Sequence, residues 1–209
     1  LAKSFNKDLK NYSVNEFNFE WKWDGIRSQV IKRSGKISIW TRGEELVNNS
    51  FPEIEDMISK IKDDFVLDGE ILVWDDLRNI PMNFSSLQKR LGRKKPSNKI
   101  QTDFPVSFIT YDILEFNGKD LRNNNQEKRR QLLENYFSTW RENNIDNFSN
   151  IIKLTGLHFL NDWDDVEGIK NLSRNNRTEG LVIKKRTSKY IPGRKEGHWW
   201  KYKVDPMQL

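Results

Sequence analysis

The chain has 209 residues, enough to bury about 70% of its unfolded surface without a disulfide or a structural metal. It has no cysteine and only two histidines, His158 and His198, which excludes thiolate-ligated zinc, iron–sulfur clusters, thiol nucleophiles, disulfides and His-rich metal sites. The 36 Lys and Arg against 30 Asp and Glu give +6, a balance that suits a polyanionic partner without specifying one.

The 8 Trp, 5 Tyr and 12 Phe are large groups that a disordered chain would not carry. No run approaches the roughly 18 apolar residues of a membrane span, and the start has no signal-peptide pattern. The first residue is Leu1, so the chain reads as a piece of something longer.

In chain order, residues 17–21 (FNFEW) predict a short strand that runs into KWDGIR. Residues 28–33 and 36–41 flank Ser34-Gly35, a two-residue hairpin signal. Residues 52–63 place Ile54, Met57, Ile58 and Ile61 at helical spacing behind Pro52 at the first helical position. Residues 65–74 (FVLDGEILVW) predict a strand with acids set inside it. A short helix is expected over 84–91, leading into the basic run 89–95 (KRLGRKK). The polar stretch 93–103 reads as a surface loop, and residues 106–116 as a strand. Residues 126–141 predict a strong helix with Leu132, Leu133, Tyr136, Phe137 and Trp140 on one face. A weaker helix over 164–173 and strands over 179–186 and 199–204 complete the pattern. The expectation is one α+β domain covering residues 1–209.

Five short motifs carry candidate chemistry. Lys22-Trp23-Asp24-Gly25-Ile26-Arg27 follows a strand and fits a turn presenting Lys22. A lysine amine attacks phosphorus or carbonyl centres only when neutral, and at an ordinary pKa near 10.4 about one in a few thousand is neutral at pH 7. Lowering that value by three units costs the ammonium form about 4 kcal/mol, which burial and neighbouring cations can supply. Alone, such a lysine reads first as a surface residue beside a turn.

In Leu67-Asp68-Gly69-Glu70, alternation puts both acids on one face of an apolar strand. They are costly there unless they meet a metal, a hydroxyl or a cation, or the face is solvated. Tyr111, in the strand FITYDIL, reads as a core aromatic or as a stacking platform for a purine. Glu179 opens EGLVIK, where strict alternation puts Glu179 and Lys184 on opposite faces unless the strand bulges. Lys201 and Lys203 in WWKYK share a face, suited to phosphate oxygens or to water.

The five motifs occur in one order: lysine turn, acidic strand, aromatic strand, acidic strand, lysine strand. As a set they resemble the covalent nucleotidyltransferase superfamily, specifically the ATP-dependent DNA ligases, over residues 17–203. The resemblance implies antiparallel β-sheets flanked by helices, with a nucleotide-binding groove between them. It implies that Lys22 takes AMP from ATP as a phosphoramidate and that Glu20 contacts the adenine amino group. Arg27 and Arg42 would hold ribose and phosphate, and Glu70 the ribose. Tyr111 would stack on adenine, where many members have Phe. Lys195, Lys201 and Lys203 would contact phosphate. Glu70 and Glu179 would bind Mg²⁺ or Mn²⁺, and Asp24 would organise the lysine loop rather than ligate metal.

The implied partner is nicked double-stranded DNA, with residues 89–95 adding to a basic contact surface. The expected species is a monomer without a membrane anchor, cytoplasmic in a bacterium or nuclear in a eukaryote. The family's OB-fold domain and any N-terminal DNA-binding domain are expected to be missing from residues 1–209, so complete ligation is expected to be poor. An mRNA capping guanylyltransferase is the nearest rival; it usually has DGL where this chain has Glu179-Gly180-Leu181. RNA ligases, NAD-dependent DNA ligases and a non-enzymatic basic nucleic-acid-binding module are the remaining alternatives.

Overall fold

A computed structural model describes residues 2–91, 95–143, 145–146, 148–192 and 198–204. Among them the strands are β1 (Lys3–Ser4), β2 (Phe17–Trp21), β3 (Ile26–Arg33), β4 (Lys36–Thr41), β5 (Phe65–Asp75), β6 (Ile80–Pro81), β7 (Val106–Phe116), β8 (Lys119–Asp120), β9 (Ile152–Leu154), β10 (Gly180–Lys185) and β11 (Trp199–Lys203). The α-helices are α1 (Pro52–Ser59), α2 (Phe84–Gln88), α3 (Asn98–Asp103), α4 (Gln126–Glu142), α5 (Phe148–Ile151) and α6 (Trp163–Asn171). The architecture is α+β, as expected, with strand pairing antiparallel except for β1 with β11 and β9 with β7. The chain forms two compact units: Leu1–Asp24, Arg122–Lys128 and Thr155–Leu209 make the first, Gly25–Leu121 and Arg129–Leu154 the second.

The first unit holds a four-stranded sheet ordered β1-β11-β10-β2. Its register sorts the side chains by period two. Phe17, Phe19, Leu181, Ile183, Trp200 and Tyr202 share one face and pack with Leu9, Val14 and Val166. Val182 is paired with both Glu20 and Lys201, and Lys184 with both Asn18 and Trp199, so these polar side chains share the opposite face. Sequences such as FNFEW and WWKYK fold this way because the aromatics leave water together and carry the alternate residues to the other side. Helix α6 closes the apolar face. Asp162 caps it by accepting from the backbone N–H groups of Asp164 and Asp165, and those two acids lie in the first turn, where the helix dipole favours them.

The second unit is built on a seven-stranded sheet, β4-β3-β5-β7-β8, with β6 beside β5 and β9 beside β7. The β3–β4 hairpin turns at Ser34 and Gly35, both left-handed with φ of 49° and 77°, as a two-residue hairpin requires. Phe51, Ile54, Ile58, Phe65, Leu67 and Phe108 are fully buried in its core. Leu133, Phe137 and Trp140 of α4 join that core, and Leu132 and Tyr136 pack against it, as the helical spacing predicted. The Trp140 indole N–H donates to Asp63 at 2.9 Å.

Three expectations need correction. Helix α1 ends at Ser59 rather than near residue 63, because its last turn tightens: Lys60 and Ile61 donate to Met57 and Ile58, and the Lys32 ammonium takes the Ile61 carbonyl. The polar stretch read as loop contains α3, started by Ser97, whose hydroxyl accepts from the Ile100 N–H; with no apolar face, the hydrophobic pattern carried no signal for it. The basic run 89–95 is not all surface. Arg90 is fully buried, held by two bonds to Glu53 at 2.7 and 2.8 Å and by the carbonyls of Ser50 and Phe104, both at 2.9 Å. That guanidinium is committed inside the unit. Lys89 lies 4.6 Å over the Phe104 ring, and residues 92–94 lie outside those described.

Candidate nucleotide-binding and active site

In the first unit the ladder between β2 and β10 runs on past the strand ends. The Lys22 N–H donates to the Gly180 carbonyl at 2.8 Å, and the Glu179 N–H to the Lys22 carbonyl at 2.9 Å. Lys22 and Glu179 are therefore held by backbone before their side chains meet. The Lys22 ammonium donates to Glu179 Oε2, and Lys203 Nζ lies 3.1 Å from the same oxygen. This cluster is reachable: the side chains of Lys22, Glu179 and Lys203 are 24, 30 and 48% exposed.

Gly180 makes the convergence possible. Its φ is 133°, a conformation that side-chain-bearing residues rarely adopt, and a Cβ there would collide with the Tyr202 carbonyl and the Lys203 backbone. Through this break in alternation Glu179 reaches Lys203, which is in register with Gly180 and so lies on the face of Val182, Lys184 and Lys201. The β10 register runs without a shift from Gly180 to Lys184, and Glu179 and Lys184 do not pair with each other, since Lys184 binds Glu20 at 2.7 Å.

Charge is tightly balanced here. Burial pushes the Asp24 carboxyl up, the Glu179 charge adds to this, and Lys22 and Lys203 oppose it. Burial also works to raise Glu179, but its bonds and charges from Lys22 and Lys203 outweigh that and hold it below the ordinary carboxylate value. Asp24 thus sits within the electrostatic reach of Lys22, in keeping with a role in organising the lysine loop. Nearby, the Trp23 indole N–H donates to Thr155 Oγ1 at 3.0 Å.

On the polar face of the same sheet, Glu20 and Lys184 are 2 and 1% exposed. Lys184 Nζ also lies 4.4 Å over the Trp199 ring. Lys201 is partly buried on this face, in register with Val182.

The second unit assembles another group on one face of β3, β5 and β7. The β3–β5 register sets Arg27 opposite Glu70 and Gln29 opposite Asp68, so both acids of LDGE share a face, as alternation predicted. Asp68 is fully buried and takes a two-bond grip from Arg27, at 3.2 and 2.6 Å. The solvated-face reading therefore fails for Asp68, while Glu70 remains partly exposed. Tyr111 is also partly exposed, its hydroxyl 3.5 Å from Asp68 Oδ1. The Arg42 side chain is exposed, and its N–H donates to the Arg27 carbonyl at 3.0 Å, tying the Arg42 turn to β3.

The structure thus brings Lys22 and Lys203 onto Glu179, with Glu20 and Lys201 on the sheet face that carries Lys203. Separately it gathers Arg27, Glu70 and Tyr111, with Arg42 tethered to them. Lys195 lies outside the described residues. Sequence reasoning missed two roles: Asp68 as the seat of Arg27, and Lys184 as the partner of Glu20. The signal for the first was present, since Asp68 is two residues from Glu70 on the same face. The second needed the β2–β10 register. Among the described residues no three His, Asp or Glu form a metal-binding group. Glu179 in the first unit and Glu70 in the second each offer hard oxygen donors of the kind that divalent ions take.

Residues 1–203 match the family model of the ATP dependent DNA ligase domain. A probable DNA ligase of Opitutus terrae is 31% identical over 204 residues, covering 88% of this chain and 20% of that protein. The chain thus spans only about a fifth of that relative. The ligase domain of LigD from M. tuberculosis superposes with a TM-score of 0.74 at 25% identity, covering 97% of this chain and 59% of that one. A mycobacterial DNA ligase D complexed with ATP and MES gives 0.71 at 26% identity, over 97% of this chain and 58% of that one.

Proposed function

The chain belongs to the ATP-dependent DNA ligase domain family, and on that footing we propose that it is the adenylating part of a DNA ligase, with Lys22 as its nucleophile. Nζ of Lys22 attacks the α-phosphorus of ATP, a P–N bond forms, and the bond to pyrophosphate breaks. The AMP then passes to the 5′-phosphate of a nick in double-stranded DNA, releasing the lysine. The adjacent 3′-hydroxyl attacks that activated phosphate and AMP leaves.

The observation that carries this reading is the contact of Lys22 with Glu179, on an oxygen shared with Lys203. Attack requires the amine, so a proton has to leave Nζ; Glu179, held below its ordinary value by Lys22 and Lys203, orients that nitrogen, and the neighbouring Lys203 charge favours loss of the proton. Lys203 and Lys201 serve in this reading as point charges for the oxygens of the α-phosphate, where negative charge builds. Arg27, anchored on Asp68, and Arg42 serve ribose and phosphate, with Lys195 a further phosphate contact; Glu70 serves the ribose and Tyr111 gives a ring for the base. A Mg²⁺ or Mn²⁺ ion would supply charge neutralisation at the reacting phosphate, with Glu179 and Glu70 as the carboxylate donors proposed for it, each within its own unit.

The +6 balance adds salt-dependent affinity for a DNA backbone. No helix among the described residues is long and apolar enough to cross a membrane. A monomer acting in the compartment that holds DNA and ATP, the cytoplasm of a prokaryote, fits the bacterial relative.

The test is transfer of label from α-³²P-ATP. The protein should carry radioactivity that survives denaturation, far above that from α-³²P-GTP. Lys22→Ala should reduce it at least about 10³-fold, since removing a nucleophile leaves no covalent route. Full labelling of the variant would assign the nucleophile elsewhere, and preference for GTP would point to a capping enzyme.

A further inference from the structure

We propose that residues 155–158 form a strap that positions the nucleophile: Thr155 holds the residue after Lys22, His158 holds the residue before it, and the hold of His158 requires an uncharged imidazole. This deepens the adenylation reading and rests on it.

The strand that delivers Lys22, β2, is the last of its sheet and has β10 on one side only. Strand ends at a sheet edge open locally at little cost, whereas a nucleophile displaced by about 1 Å can lose about 10²-fold in rate. On the β10 side the backbone bonds of Lys22 and Glu179 fix the strand end. On the other side the strap makes three contacts. The His158 N–H donates to the Phe19 carbonyl at 2.9 Å in an isolated antiparallel bridge. The His158 ring meets the Trp21 ring edge to face, with centroids 4.5 Å apart and planes at 76°. The Trp23 indole N–H donates to Thr155 Oγ1 at 3.0 Å, and Thr155 is buried. Trp21 and Trp23 flank Lys22 in the chain, so the strap grips the nucleophile by both neighbours.

The His158 contact is sensitive to protons. Its Nε2 is buried and has no hydrogen-bond partner among the described residues. An imidazolium donates from both ring nitrogens and would bury an N–H without an acceptor there, a cost that the neutral ring avoids by carrying its proton on Nδ1. Burial alone holds the His158 value below the ordinary 6.5. The Trp21 ring brings no charge, and the nearby acids are engaged elsewhere: Asp162 accepts from the N–H groups of Asp164 and Asp165, and Asp165 accepts from Asn161. Charging the ring therefore drives it from Trp21 towards water and loosens the outer side of β2.

The probe is α-³²P-ATP, read as the covalent labelling rate at saturating ATP and the ATP concentration that gives half of it. Thr155→Val keeps the shape of the side chain and removes the oxygen that accepts from Trp23. It should lower the saturating rate about 5- to 20-fold and move the half-saturating concentration less than about twofold, since the strap acts on the attack and not on ATP binding. Thr155→Ser should restore most of the rate. Trp23→Phe removes the same bond from its other end, so Trp23→Phe/Thr155→Val should label about as fast as the slower single variant. Should Thr155→Val not melt cooperatively, Trp23→Phe reads the bond in its place.

His158→Phe keeps an aromatic edge for Trp21 and cannot take up a proton. Lys22 has to lose a proton in both proteins, so its contribution cancels in the ratio of variant to wild-type rates. That ratio should be constant above about pH 7 and rise about tenfold for each pH unit below the folded His158 value. Should His158→Phe not melt cooperatively, the wild-type profile decides: its log rate should steepen in acid from a slope of about one towards about two. Wild-type labelling by Thr155→Val, a loss confined to ATP affinity, or a rate ratio or slope that stays flat in acid would overturn the proposal and leave adenylation standing. Absence of labelling in the wild type at every pH would instead refute the adenylation reading itself.

Discussion

Two sets of ion pairs, one in each unit, are used in opposite ways. In the second, Arg129 grips Asp112 through two bonds at 2.8 and 2.9 Å with both side chains at or below 1% exposure, and Arg90 is spent on Glu53 and two carbonyls. In the first, Lys22, Glu179 and Lys203 share a single carboxylate oxygen at a partly open position. Guanidinium forks buried against carboxylates are fixed in geometry and cannot exchange partners without leaving a bare charge. Two ammonium groups on one oxygen are point charges that a phosphate can compete for. Burial and fork geometry distinguish a strut from a reaction site even though both are cation–carboxylate pairs.

This contrast can be broken by mutation, and the largest effect belongs to the strut. Arg129→Met leaves Asp112 buried without its cation and should cost about 3–5 kcal/mol of stability in denaturant unfolding. A loss under about 1 kcal/mol would show that the pair is not the strut described.

Glu179→Gln should cost much less, about 1 kcal/mol or below, because the cluster is partly solvated. Its pH dependence has a definite sign. The folded Glu179 carboxyl lies below its ordinary value of 4.5, so its stabilisation is present above the unfolded value and lost as pH falls through the lower folded value. The stability gap between wild type and variant should therefore be largest near neutrality and close in acid. A gap that widens below pH 4 would reverse the assignment.

The smallest effect is at Asp24. Its folded value lies above 3.8, so the ionised form is disfavoured by folding, and that penalty is released as pH falls through the raised value. Asp24→Asn should raise the melting temperature slightly, with the gain larger at pH 7 than at pH 4. A uniform loss at both would show that Asp24 holds the loop through hydrogen bonds rather than straining it with charge.

Much of the site was legible in the chain because its residues sit on strands, where period two fixes the face from local sequence alone. Asp68 and Glu70, or Lys201 and Lys203, needed no knowledge of neighbours to be assigned to one side. Glu179 was different, because its direction depends on the left-handed Gly180, and a glycine does not announce which conformation it adopts. Arg90 was misplaced because a run of basic residues reads as one surface, whereas Glu53, 37 residues earlier, selects one member for burial. The short strands β6, β8 and β9 carry no pattern of their own and exist by pairing with β5 and β7.

The sequence by itself determined the α+β alternation, the two-residue hairpin at Ser34-Gly35, the apolar and polar sides of each long strand, and the ordered set of motifs that identifies the family. Tertiary structure alone decided which charges meet: Lys22 with Glu179, Lys184 with Glu20, Arg27 with Asp68, Arg129 with Asp112. Local periodicity is set by backbone geometry within a few residues. The choice of an ionic partner is settled by register between strands up to 164 residues apart, where the cost of burying a lone charge eliminates the alternatives.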